Sequence, residues 1–413
     1  MAGFDPRTFY EGTQLYESGG LYDGWDYRGE NPGPWYVELG ADLSANGIGD
    51  WFTLDDPVKG ELNNIVYLLT GDLFVDITRY VRSLSVKRGR SRFLEKFITG
   101  ACEIVLDNRN RLFDPTLTGA PFTGQIIPRK PLRIFYDTFP VFTGNVQDWD
   151  FDYSVKDATA TVKCLDAFST LATQTVPAQT MTTQLTGARV NYVLDQVGFP
   201  AELRSVESGT ASVAADTVGD SVNALAYLQK IEVSQNGLFF MSADGLITFE
   251  DSFTGTPTPV EVGDGGVPIS DLDVVFGAEE LTNRVTVNYY SGSVQTSLII
   301  DSTPSQDKYG LFDTSVDTLL SGSVSASALG VLLVNRYEEP QYRIDSAVFN
   351  VAGLDTSGQN QILSLELGDQ ILLKFRPLGV GETIERNVLV DAIDHSAAPK
   401  THTVSLALTD LGI

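Results

Sequence analysis

Apolar residues in this chain come in short alternating runs closed by turn residues, a pattern that builds small β-barrels or sandwiches. In residues 80–87, Leu84 and Val86 alternate with polar neighbours, and residues 102–106 stop at Asp107-Asn108. Residues 132–136, 141–146 and 158–164 repeat the pattern. Cys102 and Cys164 sit inside such runs. They read as buried thiols, with a bridge left open.

The period changes over residues 185–252. Val190, Val193, Leu194 and Val197 fall at i, i+3, i+4 and i+7, predicting a helix capped by Thr186 and stopped at Gly198. A second helix carries Val222, Leu225, Leu228 and Ile231, opened by Asp220 or Ser221. Beyond it, Asp244-Gly245 between two apolar runs predicts a hairpin with a type I′ turn. A Gly/Pro-rich stretch over residues 254–268 leads into a last β region, with strands expected at 284–290, 342–351, 370–375, 386–393 and 402–408. A helix is expected near 323–337, with Val324, Ala328, Val331 and Leu332 on one face.

The expected fold class is therefore mainly β with a small α+β insert. Two β-barrel-like domains, 71–180 and 266–413, flank an α+β domain at 181–265. Residues 1–70 form an irregular N-terminal arm or small β module, rich in Gly and aromatics and poor in alternation.

Fifty-four acidic residues against 28 basic ones give a formal net charge of −26. Such a surplus argues against wrapping nucleic acid, though it lets a polyanion slide past, and its plainer use is to keep a large assembly soluble. No apolar run reaches the ~18 residues of a membrane helix, so no membrane insertion is expected. The first residues, Met-Ala-Gly-Phe-Asp-Pro-Arg, lack an apolar h-region, so no signal peptide is expected.

Candidate chemistry is sparse. His395 and His402 lack metal-ligand spacing and read as surface or turn residues. Gly47-Ile48-Gly49 lacks the third glycine of a phosphate loop, and no Gly-x-Ser-x-Gly elbow occurs. Asp107-Asn108-Arg109-Asn110-Arg111 puts arginines where a calcium loop needs acids, and reads as a strand-end turn. Acid pairs such as Asp55 and Asp56 near Trp51 leave a carboxylate-based glycosidase as an alternative, although adjacent acids on a solvated turn are commoner. No catalytic residue, cofactor or metal is expected.

Two groups of residues are candidate contacts. Arg79, Arg82, Lys87, Arg88, Arg90, Arg92 and Lys96 cluster in an otherwise acidic chain, with Arg109 and Arg111 following. Guanidinium forks of this kind pair with carboxylates on neighbouring subunits and fix register, while solvated strand faces are the plainer use. Trp25, Trp35 and Trp51 in the arm are candidate docking aromatics or, alternatively, a platform for a glycan or receptor.

The run from Asp76-Ile77-Thr78-Arg79-Tyr80-Val81-Arg82 to Leu106-Asp107-Asn108-Arg109-Asn110-Arg111-Leu112-Phe113-Asp114-Pro115 carries a resemblance. Ile127-Pro128-Arg129-Lys130-Pro131-Leu132, Val141-Phe142-Thr143-Gly144 and Leu165-Asp166-Ala167-Phe168 continue it. Asp244-Gly245-Leu246-Ile247-Thr248-Phe249 and Leu367-Gly368-Asp369-Gln370-Ile371 follow in the later half. In this order the chain resembles minor tail proteins of long-tailed bacteriophages. The resemblance implies a non-enzymatic baseplate or tail-tip hub protein of the virion, made in the host cytoplasm, with two barrel-like hub domains around the insert. It implies a homotrimer whose barrels ring the genome exit channel. Its implied partners are other copies, the distal tail ring, the tape measure and a tip fibre or spike, with DNA only in passage.

Overall fold

The computed structural model describes residues 34–41, 74–90, 95–154, 157–219, 221–251 and 259–410. Its first β unit comprises β1 (Trp35–Gly40), β2 (Phe74–Asp76), β3 (Val81–Gly89), β4 (Ile98–Asp107), β5 (Pro131–Tyr136), β6 (Phe139–Tyr153) and β7 (Ala158–Leu165). They pair antiparallel in the order β3-β4-β7-β6-β5-β1-β2. Because strand side chains alternate, one face buries Val37, Leu39, Leu84, Val86, Ile104, Leu106, Leu132, Ile134 and Val162. Past β2 the chain returns toward β3. The Ile77 amide donates to the Val37 carbonyl at 2.9 Å, and the Val37 amide donates to Thr78 Oγ1 at 2.8 Å. The unit is barrel-like, and these bonds carry the β1–β2 ladder into the turn that leads to β3.

A second β unit is joined to the first through one strand. Ile384–Ala398 runs 15 residues. Residues 384–389 pair with Gln370–Phe375, whereas residues 392–397 pair with β3. Thr401–Asp410 follows along its other side, then Gln341–Asn350 and Asp271–Gly277. Val260–Gly263 pairs parallel with Gln370–Phe375. The sheet is therefore continuous through both β units, and the strand that changes partner joins them.

The insert packs helices Thr186–Gln196 and Ala224–Gln235 with the hairpin Leu238–Met241 and Ile247–Glu250. The second helix starts at Asn223, whose side chain accepts from the Ala226 amide at 2.9 Å. The hairpin forms as expected, but not through a type I′ turn. Gly245 takes φ +90° and its amide donates to the Ser242 carbonyl, while the Ser242 amide donates to Leu246. Only the last of three loop residues is left-handed, the geometry of a type I turn closed by a glycine bulge.

A five-stranded sheet mixes the insert with the last β region, in the order Gln184–Leu185, Ser212–Val213, Asp313–Ser321, Arg284–Ser291 and Val294–Asp301. Helix Ser323–Tyr337 lies on it with Ala326, Leu329, Gly330, Leu333, Val334 and Tyr337 buried. The expected face of Val324, Ala328, Val331 and Leu332 is instead the outer one. This helix is apolar on both sides, and Gly330 decides between them. A Cβ there would lie 2.7 Å from Ile300, so the glycine side is the one that approaches the sheet closely.

Candidate functional site: the seam between the two β units

The seam lies where Ile384–Ala398 exchanges one partner strand for another. Asp391 sits at a register shift between Val390 and Ala392. Its carbonyl accepts from the Arg90 amide at 2.9 Å, and its buried carboxylate accepts from Arg90 Nε at 2.8 Å and from the Thr409 hydroxyl. The Arg90 guanidinium also lies 4.5 Å from the Phe97 ring centre. Gly89 takes φ +121° here, and a Cβ would fall 2.2 Å from the Asp391 carbonyl oxygen. Only glycine permits that approach.

Arg88, on the same stretch of β3, reaches the insert. Its Nη1 donates to Glu366 Oε1 at 2.7 Å, and Glu366 Oε2 accepts from the Ala243 amide at 2.8 Å. One carboxylate thus ties β3, the insert hairpin and the loop before Gln370–Phe375. Asp166 is buried beside Arg88 and accepts from the Gly100 and Phe168 amides at 2.6 and 2.9 Å. Burial raises its carboxyl to about 7, against the pull of those amides and Arg88. Glu232, on the helix facing this seam, is raised by burial to about 8 despite Arg90, the Phe239 amide and Lys96. Its Oε2 has no hydrogen-bond partner among the described residues.

The seam divides the expected contacts. Arg88 and Arg90 are buried, so they hold the chain together and cannot reach a neighbour. Arg79, Lys87, Lys96, Arg109 and Arg111 are exposed, and Arg82 is half-buried. Arg82 forks onto Asp157 with both bonds at 2.7 Å, Arg109 holds Asp107, and Arg111 holds Asp114. Carboxylates of this chain therefore take up much of the cluster's charge. Trp35 is also buried, in β1, with its ring edge against Tyr136 and His402 at centroid distances of 5.1 and 4.6 Å. Arg92, Trp25, Trp51, Asp55 and Asp56 lie outside the described residues.

Two histidines expected at the surface are buried instead. His395 Nδ1 and His402 Nε2 lie 3.1 Å apart beneath Trp35. The intervening turn brings adjacent antiparallel strands into register, and burial lowers His402 to about 3. Cys102 and Cys164 are buried and free, directly opposite each other on β4 and β7. Among the described residues, no group of three His, Cys, Asp or Glu could hold a metal ion, and no helix is long and apolar enough to cross a membrane. Sequence reasoning missed Asp391, Glu366 and Glu232. Asp391 carried a signal, an acid in the middle of the apolar run Val388-Leu389-Val390-Asp391-Ala392-Ile393.

Two β units sharing a strand, joined at their seam by the Arg90–Asp391 and Arg88–Glu366 ion pairs beside an α+β insert, define a β-rich scaffold. That fold is shared with phage tail proteins. The 43 kDa tail protein of prophage MuSo2 from Shewanella oneidensis matches with a TM-score of 0.55 at 12% identity, covering 82% of this chain and 95% of that one. A tail protein from Neisseria meningitidis MC58 matches with a TM-score of 0.60 at 9% identity, covering 92% and 97%. No protein-family profile and no curated protein sequence matches the chain.

Proposed function

We propose that this chain is a structural hub protein of a phage-type tail. Several copies, three by the sequence resemblance, ring the channel through which the genome leaves and join the tail tube to the tip or fibre proteins. The observation that carries this reading is the strand Ile384–Ala398, shared by two β units in a fold that two phage tail proteins also have. Such a strand fixes the angle between the units, which a ring built from repeated barrels requires. In this reading the chain keeps the order first hub domain, insert and second hub domain, but Trp35–Gly40 of the expected arm is built into the first β unit, and Gln184–Leu185 and Ser212–Val213 of the insert join strands of the last β region. The exposed cations Arg79, Lys87, Lys96, Arg109 and Arg111 face neighbouring subunits. The surplus of negative charge lets DNA pass without adhering.

Gold-labelled antibody against the chain tests the proposal on purified tailed particles from cells expressing it. Label should gather at the tail end away from the head. Particles that infect normally while lacking the chain would overturn it.

A further inference from the structure

We infer that His395 and His402 form an acid-operated latch, which releases strand β1 from the body of the fold once both rings carry an added proton. The inference concerns regulation and stands on the fold alone, independent of any role for the chain in a tail.

The latch is a cluster of four rings drawn from both β units. His402 meets Trp35 of β1 and Tyr136 of β5, with ring centres 4.6 and 4.9 Å away, and stacks on His395 at 5.4 Å. Among the described residues β1 pairs with β5 and β2, so no ladder joins it to the hairpin that carries the histidines. Side chains make that contact. Next to Trp35 lies a small cavity lined also by Val37, Val81, Leu84, Ala397 and Pro399, so apolar packing across the contact is incomplete. The rings therefore carry a large share of it.

Geometry sets how many protons the pair can take. His395 Nδ1 and His402 Nε2 face each other at 3.1 Å, so one nitrogen donates and the other accepts. A first added proton leaves that bond intact, because an imidazolium still donates to a neutral ring. A second leaves no acceptor, and two cationic rings then oppose N–H to N–H. Both side chains are buried, and His402 Nδ1 has no hydrogen-bond partner among the described residues.

No carboxylate acts on either ring among the described residues. Burial is the first cause that holds both below their usual range, and His402 and Arg88 add to it at His395. Arg88 comes from β3, where Glu366 holds its guanidinium. From β1 and β5 come Trp35 and Tyr136, which carry no charge in acid. Asp394 lies on the opposite face of its strand by alternation, level with Lys87 on β3.

Strand β1 is the element that yields. It is 6 residues long, and its outer neighbour β2 is an edge strand of 3. The histidine strands run 15 and 10 residues inside the sheet. Local opening starts at the least-held element.

Hydrogen exchange of the full chain, corrected for the intrinsic pH dependence of amides, tests the latch. Between about pH 7 and about pH 4, protection of β1 should fall roughly a hundredfold or more while β4 and β7 stay protected. His402→Gln keeps a hydrogen-bonding group beside His395 but takes no proton, so it should remove most of that fall. Protection of β1 that holds down to about pH 4 overturns the latch. Loss of β1, β4 and β7 together also overturns it, since that is global unfolding. An unaltered β1 profile in a folded His402→Gln chain does the same. Should that variant fail to fold, the contrast between β1 and β4 in the native chain still decides.

Discussion

Arg90 and Asp391 stand 301 residues apart in the chain and 2.8 Å apart in the fold. Both side chains are buried, and they meet where Ile384–Ala398 leaves one β unit for the other. A buried pair adds little net stability over an apolar pair, but a buried charge left alone is costly. The pair therefore sets geometry more than it adds strength.

Asp391→Ala should lower unfolding stability by about 3–5 kcal/mol, because it strands the Arg90 guanidinium in the interior. Adding Arg90→Leu should restore part of that loss. Urea unfolding of the two single variants and the double variant measures the coupling, and strictly additive losses would show that the contact is not energetically linked.

Gly89→Ala should destabilise by about 3 kcal/mol or more, since its Cβ would overlap the Asp391 carbonyl in a left-handed backbone. Gly124 also has positive φ, yet open space surrounds it, so Gly124→Ala should cost only about 1 kcal/mol. Equal losses in denaturant titrations would remove close approach as the cause.

Stability should fall as pH rises from about 5 to 9. Asp166 and Glu232 are held at about 7 and 8 by burial. Glu250 is raised to about 7 by burial and then by Glu207, Asp369 and Glu366. Each folded pKa lies above the unfolded carboxyl value, so the contribution is complete below about 4 and lost as pH climbs through the folded value. Glu232→Gln should flatten the upper part of this profile. An unchanged slope between pH 7 and 9 would mean that Glu232 is ionised throughout.

The histidine pair acts in the opposite direction. Burial, then His402 and Arg88, hold His395 well below its usual range, and burial lowers His402. The unfolded chain binds their protons first, so this contribution is complete above about 6.5 and lost as pH falls toward about 3. His402→Phe keeps a ring against Trp35 and should reduce the acid-side slope by about one proton, or ~1.4 kcal/mol per pH unit. Thermal unfolding between pH 4 and 6.5 checks this, and an unaltered slope would contradict it.

Arg79→Glu with Lys87→Glu should leave chain stability within about 0.5 kcal/mol, because both residues are exposed. Incorporation into tails should drop sharply, read as this chain's band in purified particles. Normal incorporation would clear these two cations of any docking role.

Strand periodicity made the β-rich fold legible, since Leu84, Val86, Ile104 and Leu106 alternate as a half-buried strand must. Helix Thr186–Gln196 was equally plain from its spacing. Helix Ser323–Tyr337 was located by its pattern, yet its orientation was hidden because both sides are apolar. The cations of residues 79–96 were visible as a cluster, but nothing local distinguishes Lys87, which is exposed, from Arg88, which is buried beside Glu366. Partners hundreds of residues away decide that. Trp35 and the histidines were misplaced for the same reason, as tertiary contacts from β5 and Thr401–Asp410 bury them.

The shared strand also governs how the chain can mature. Residues 392–397 cover an edge of β3, which leaves the ribosome some 300 residues earlier. Until then, β3 presents unpaired amides and carbonyls to any other strand nearby. A prematurely ended product keeps that edge open and is prone to aggregate, whereas a finished chain covers it. Completion of synthesis is thus a checkpoint: a fragment lacking Ile384–Ala398 cannot form the seam and has no route to the native scaffold.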